Sequence, residues 1–170
     1  MTEYVTTTQA AAALKTALRA EYPGVKFSVR KDRGTASAWL RVAYTDGPTD
    51  RAVQTIADGY CGQRFNAMTD AYDVLPDQLI TVDGQTRAVR YLVDGVIVSR
   101  QIGPDGRAAV AARVAAVAPG VTALDSDGAF TTSYLTAEQA NELGAPTAYG
   151  SITVRDAARS VFATLDLAAT

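Results

Sequence analysis

Apolar residues recur along this chain with two periods, and each change of period marks a new element. Ala10, Leu14, Ala17 and Leu18 share one helical face while Lys15 and Arg19 fall off it. That spacing predicts an amphipathic helix. Thr6 and Gln9 stand ahead of it at capping-box spacing, and Pro23-Gly24 ends it. Two-residue alternation follows: Phe27 and Val29 alternate with Lys26, Ser28 and Arg30, then Leu40, Val42 and Tyr44 with Trp39, Arg41 and Ala43. Each run predicts a half-buried strand, at 26–30 and 38–44, joined by a turn at Arg33-Gly34-Thr35. Helical spacing returns at Val53, Ile56, Ala57 and Tyr60, after Asp46-Gly47-Pro48 and an N-cap candidate at Thr49. This second helix ends near Gly59 to Gly62.

From Asn66 to Asp77 the chain is polar and reads as a loop. Two Asp-Gly pairs, Asp83-Gly84 and Asp94-Gly95, then separate β-rich runs. Asp-Gly between apolar runs is the strongest short-range hairpin signal, because a type I′ turn needs positive φ at both central residues. The expectation is a three-stranded antiparallel meander over 79–102. The last third is helical. Pro104-Asp105-Gly106 leads into an Ala-rich helix carrying Val110, Val114 and Val117, and Pro119-Gly120 stops it. Asp125 to Gly128 is a turn, Thr136 with Gln139 starts a short helix, and Thr153 precedes an amphipathic one through Val154, Ala158, Val161, Phe162 and Leu165.

These elements give an α+β fold: an antiparallel sheet, made of a hairpin and a meander, with helices packed on one face. The organisation expected is an α+β region over 1–103 and a mainly helical extension over 104–170 on the same core.

Composition narrows the chemistry. The chain has 170 residues, 48% hydrophobic and 20% charged, with a formal charge of −2. Such a chain folds around a core, and no global basic field draws it to nucleic acid or to anionic lipid. No apolar run is long enough for a membrane span. The N-terminus MTEYVTTTQ lacks the pattern of a signal peptide, and one cysteine, Cys61, fits a reducing compartment. The expected location is cytoplasmic. The chain contains no histidine. His-dependent hydrolases and Cys/His zinc sites therefore cannot be built within one chain. No phosphate-binding loop, dinucleotide fingerprint or nucleophile elbow is present, so no cofactor and no enzyme activity is expected.

Three runs carry a family likeness: PGVKFSVR at Pro23 to Arg30, LRVAYTDGPT at Leu40 to Thr49, and MTDAY at Met68 to Tyr72. The segment from about Leu14 to Tyr72 resembles the large polyvalent protein-associated domain of type 29. It departs from that pattern at Asn66-Ala67, where an Asp-Gly pair is expected. Such domains recur in large proteins of phages and conjugative elements and as short free-standing proteins. The resemblance implies an accessory protein in a bacterial host's cytoplasm that binds a host protein or nucleoprotein. Its implied role is protecting incoming DNA or blocking host defence, a counter-defence of the anti-restriction or anti-CRISPR kind. It implies no catalytic residue.

Alternation places the candidate binding residues. With Phe27, Val29, Leu40, Val42 and Tyr44 facing the core, Lys26, Arg30, Trp39 and Arg41 share the outer face, and Lys31 and Arg33 sit at the turn. A tryptophan among cations suits a protein hot spot or a stacking platform for nucleic acid. The opposing expectation is that helices bury Trp39. The alternative chemistry is metal-dependent nucleic-acid processing by acids at Asp46, Asp50, Asp70, Asp73 and Asp77. Turn and helix-start roles account for Asp46 and Asp50, and a polar loop for Asp70 and Asp73, so no metal ligand is assigned.

Overall fold

The computed structural model describes residues 2–82, 84–148 and 150–168. The chain divides into two compact units, one of Met1–Tyr44 with Asp50–Arg100 and one of Thr45–Thr49 with Gln101–Thr170. In chain order the first carries β1 (Glu3–Val5), α1 (Thr7–Glu21), β2 (Ser28–Lys31), a 3-10 turn (Gly34–Ala36), β3 (Trp39–Thr45) and α2 (Asp50–Asp58). Strands β4 (Gln63–Asn66), β5 (Ala71–Val74), β6 (Gln78–Val82), β7 (Gln85–Tyr91) and β8 (Gly95–Gln101) follow. The second carries α3 (Pro104–Val117), β9 (Tyr134–Thr136), α4 (Ala137–Glu142), β10 (Ser151–Thr153) and α5 (Val154–Thr164).

The fold is α+β. Helix α1 begins as its sequence requires: the Thr6 side chain accepts from Gln9 N–H, and the Gln9 side chain accepts from Thr6 N–H. Its face of Ala10, Leu14 and Leu18 joins Leu40, Val42 and Tyr44 of β3 and Val53 and Ala57 of α2 in one apolar cluster. β2 and β3 form the expected hairpin, with Arg30 opposite Arg41 and Val29 opposite Val42. Alternation located this pair because one face of β3 is buried and the other is not.

The meander is not formed. β6 and β7 make an antiparallel hairpin in register Val82↔Gln85, but β7 pairs on its other side with β1, in parallel. β8 joins the hairpin instead, in the order β2-β3-β8. The backbone after β7 explains the divergence. Leu92 N–H donates to Val5 C=O, Gly62 N–H donates to Val93 C=O, and Asp94 N–H donates to Ala38 C=O. Three separate segments hold those three residues, so β8 cannot fold back on β7. The strands expected of the hairpin and the meander thus fall into two three-stranded sheets, β1-β7-β6 and β2-β3-β8. Gly84 has the positive φ expected of its turn, 75°; Asp83 lies outside the described residues.

The expected loop 66–77 contains half of a further hairpin. β4 and β5 pair antiparallel with Phe65 opposite Tyr72, and Asp70 takes a φ of 50° in the turn.

The second unit has its own core of Val110, Val114, Leu135, Val154, Ala158, Val161 and Phe162. Helix α4 has the expected capping box of Thr136 and Gln139, and Thr153 caps α5 by accepting from Asp156 N–H. Helix α3 is capped differently. Its N-cap residue, Gly103, offers no side chain. Buried Asp46 supplies the acceptor, its Oδ1 receiving N–H of Gly103 at 2.7 Å and of Gly106 at 3.0 Å. A Cβ on either glycine would collide with that carboxylate.

Candidate binding sites

Two concave features flank the β2–β3 hairpin, and the outward residues of β3 divide between them. The first is a groove of about 870 Å³ lined by Ser28, Arg30, Lys31, Asp32, Arg33, Ala36, Arg41 and Ala43. Its form follows from register. The pairs Ser28↔Ala43 and Arg30↔Arg41 point to one side of the sheet, so small side chains leave a floor and cations stand around it. Arg30 and Arg41 are like charges directly across the strands, an arrangement that costs stability unless a counter-charge intervenes. Asp32 is that counter-charge: Arg41 Nε donates to its two carboxylate oxygens at 2.8 and 2.9 Å. The Asp32 hydrogen bond, and then its charge, raise the Arg41 pKa above its ordinary value. Among the described residues Arg30, Lys31 and Arg33 make no ion pair. The groove therefore carries four cations against one carboxylate.

The second feature is a recess of about 180 Å³ whose walls include Trp39, Phe65, Tyr72 and Leu75, with Gln54, Asp58, Gln63, Arg64, Asp94 and Gly95 around them. Trp39 is half-buried because its six-membered ring lies on Gly95, where a Cβ would come within 2.5 Å of the ring. Gly95 is therefore needed for close approach, not for a turn. Phe65 and Tyr72 meet edge to face across β4 and β5, ring centroids 5.4 Å apart, and both are about half exposed. Met68, at the tip of that hairpin, is 96% exposed. On the rim, Gln54 Nε2 donates to Asp58 Oδ1 at 2.7 Å, and Gln63 Nε2 donates to Asp94 Oδ1 at 2.6 Å. Cys61 also lines the recess. Burial, and then the charges of Asp58 and Asp94, push its thiol up to about 11 against the opposing effect of Arg64.

Of the residues singled out from sequence, Arg30, Arg33 and Arg41 are brought together in the groove, and Lys31 joins them. Trp39 lines the recess, and exposed Lys26 precedes β2 without lining either feature. Sequence reasoning missed Phe65 and Tyr72; their β-type spacing across the turn at 67–70 was the available signal, carried by strands only four residues long.

Asp46, Asp73 and Asp77 are occupied by structure. Asp46 caps α3, Asp73 accepts from Asn66 Nδ2 at 2.8 Å, and Asp77 accepts from Thr2 Oγ1 at 2.6 Å and Arg90 Nε at 2.7 Å. Those last two bonds hold the Asp77 carboxyl below its ordinary value. Among the described residues no three His, Cys, Asp or Glu side chains are grouped so as to hold a metal ion. No described helix is long and apolar enough to cross a membrane.

A family model for the large polyvalent protein associated domain 29 matches residues 5–103, which takes in both the groove and the recess. No curated protein and no solved structure matches the chain.

Proposed function

The chain belongs to the large polyvalent protein associated domain 29 family, whose members are associated with polyvalent proteins of phages and mobile elements, and we propose that it acts there by binding rather than catalysis. The partner in this reading is a host protein or nucleoprotein with an acidic surface, met in the bacterial cytoplasm, and the outcome is counter-defence. The groove carries the proposal: Arg30, Lys31, Arg33 and Arg41 face one compensating carboxylate on a chain whose net charge is −2. A local positive field on a mildly acidic protein steers an acidic partner to one place and repels approach elsewhere. Arginines in a concave site can pair bidentately with carboxylates, which fixes orientation as well as affinity. The absence of histidine from the sequence supports a non-enzymatic role, and the hydrogen-bonded states of Asp46, Asp73 and Asp77 give no support to a metal-dependent nuclease.

The test compares the wild-type chain with Arg30→Glu/Arg33→Glu in capture from host lysate, followed by mass spectrometry. A specific partner recovered by the wild type should be lost by the variant, since an arginine hot spot is worth about 2 kcal/mol, roughly thirty-fold in affinity. Equal recovery would remove the groove from the mechanism. A parallel titration with labelled duplex DNA and RNA addresses the phosphate backbone as the ligand. Tight binding to bare nucleic acid, falling steeply with salt, would replace the protein partner with a nucleic acid.

A further inference from the structure

We propose that the recess beside Trp39 is a second, independent binding site that takes the guanidinium of an arginine side chain presented by a protein partner. Size selects the class of occupant. About 180 Å³ admits one long side chain, not a folded surface. The walls select its shape. The Trp39 ring lies against Gly95 and, with Phe65 and Tyr72, gives the recess flat aromatic walls. The rim selects its charge. Asp58 and Asp94 each accept one amide N–H and make no ion pair among the described residues, so both keep lone pairs for further donors. Arg64 offsets one of the two charges. Their effect reaches the interior, where both disfavour the Cys61 thiolate.

Competing occupants fit worse. A purely apolar side chain would strip water from two carboxylates and give them nothing in return. A nucleotide would stack, but its phosphate would meet the acidic rim. An ammonium satisfies the charge without the flat face. A guanidinium alone stacks on indole and donates in its own plane to carboxylates.

The chain has one tryptophan, so its fluorescence and its single indole N–H resonance report on this recess directly. The probes are acetyl-Gly-Arg-Gly-amide, the same peptide with lysine or norleucine at the centre, and adenosine monophosphate. The arginine peptide is expected to shift both signals saturably, with a Kd on the order of 1 mM for so small a ligand. The lysine peptide should bind several-fold more weakly, and the norleucine peptide and the nucleotide should leave the signals unmoved. Asp58→Asn/Asp94→Asn should weaken arginine binding at least tenfold with an unchanged melting curve; if that pair fails to fold, Asp94→Asn alone should weaken it about threefold. An equal or larger response to norleucine or to the nucleotide would overturn the proposal. So would arginine affinity undiminished by the carboxamides, or no response at all.

Discussion

Replacing Asp46 by alanine should destabilise the second unit out of proportion to the atoms removed. Its Oδ1 accepts two N–H groups from the first turn of α3, those of Gly103 and Gly106, and both glycines are buried. The N-cap residue is itself glycine and supplies no side-chain cap of its own. Alanine leaves two buried donors without this acceptor, and each unmet buried donor costs about 1–3 kcal/mol. Water admitted to the space left by the carboxylate recovers part of that, so a net loss of roughly 3 kcal/mol is expected. At about 2–4 °C per kcal/mol for a chain of this length, the midpoint should fall by roughly 6–12 °C. Asparagine keeps the acceptor and gives up only the charge at the helix N-terminus, about 0.3–1 kcal/mol. Gly106→Ala attacks the same contact from the other side, since its Cβ would strike the Asp46 carboxylate and the Phe162 ring. Because both changes break one interaction, their double mutant should lose less than the sum. Calorimetry with far-ultraviolet circular dichroism reads all four. An Asp46→Ala loss below about 0.5 kcal/mol, or an asparagine variant as damaged as the alanine one, would refute the capping argument.

Other consequences follow from the first unit. Asp32→Asn should free the Arg41 guanidinium and raise affinity for an acidic partner or polyanion about two- to five-fold, the size of an exposed ion pair; unchanged affinity in a titration at low salt would count against the groove. Gly95→Ala should displace the Trp39 ring and cost about 1–3 kcal/mol, with a red-shifted emission maximum as the check. With its pKa near 11, the Cys61 thiol should react with iodoacetamide at pH 8 about a hundredfold more slowly than a free cysteine; since its folded value is raised, the stability it contributes is present below the unfolded value and lost as pH rises toward 11. The Asp77 carboxyl is lowered from 3.8, so its contribution is present above about pH 4 and lost as pH falls further; Asp77→Asn should flatten that acid limb in melting curves taken across pH.

How much of this was legible in the sequence depended on one-sided burial. The β2–β3 hairpin and α1 each bury one face and expose the other, so their periodicity was visible. β5 is exposed at every position, so no burial-driven alternation could announce the β4–β5 hairpin. Asp94-Gly95 carried the chemistry of a turn, yet there the missing side chain makes room for an indole from another strand. Alternation placed Trp39 beside Arg41 and was right about the face. It could not show that one neighbour of that face is a glycine and another is Asp32, which draws the two side chains into different cavities. The cap on α3 comes from 57 positions upstream, beyond any local rule.

The parallel pairing of β1 with β7 fixes an order of assembly. Val5 has its partner in Tyr91, so the sheet cannot close until that residue has left the ribosome. At about 5–20 residues per second the first strand waits roughly 4–17 s with its backbone groups in water. During that interval the adjoining α1 can form locally, held by its own capping box, while its apolar face awaits strands not yet made. The β1 segment thus stays unpaired through that interval, and its late zippering onto β7 slows folding.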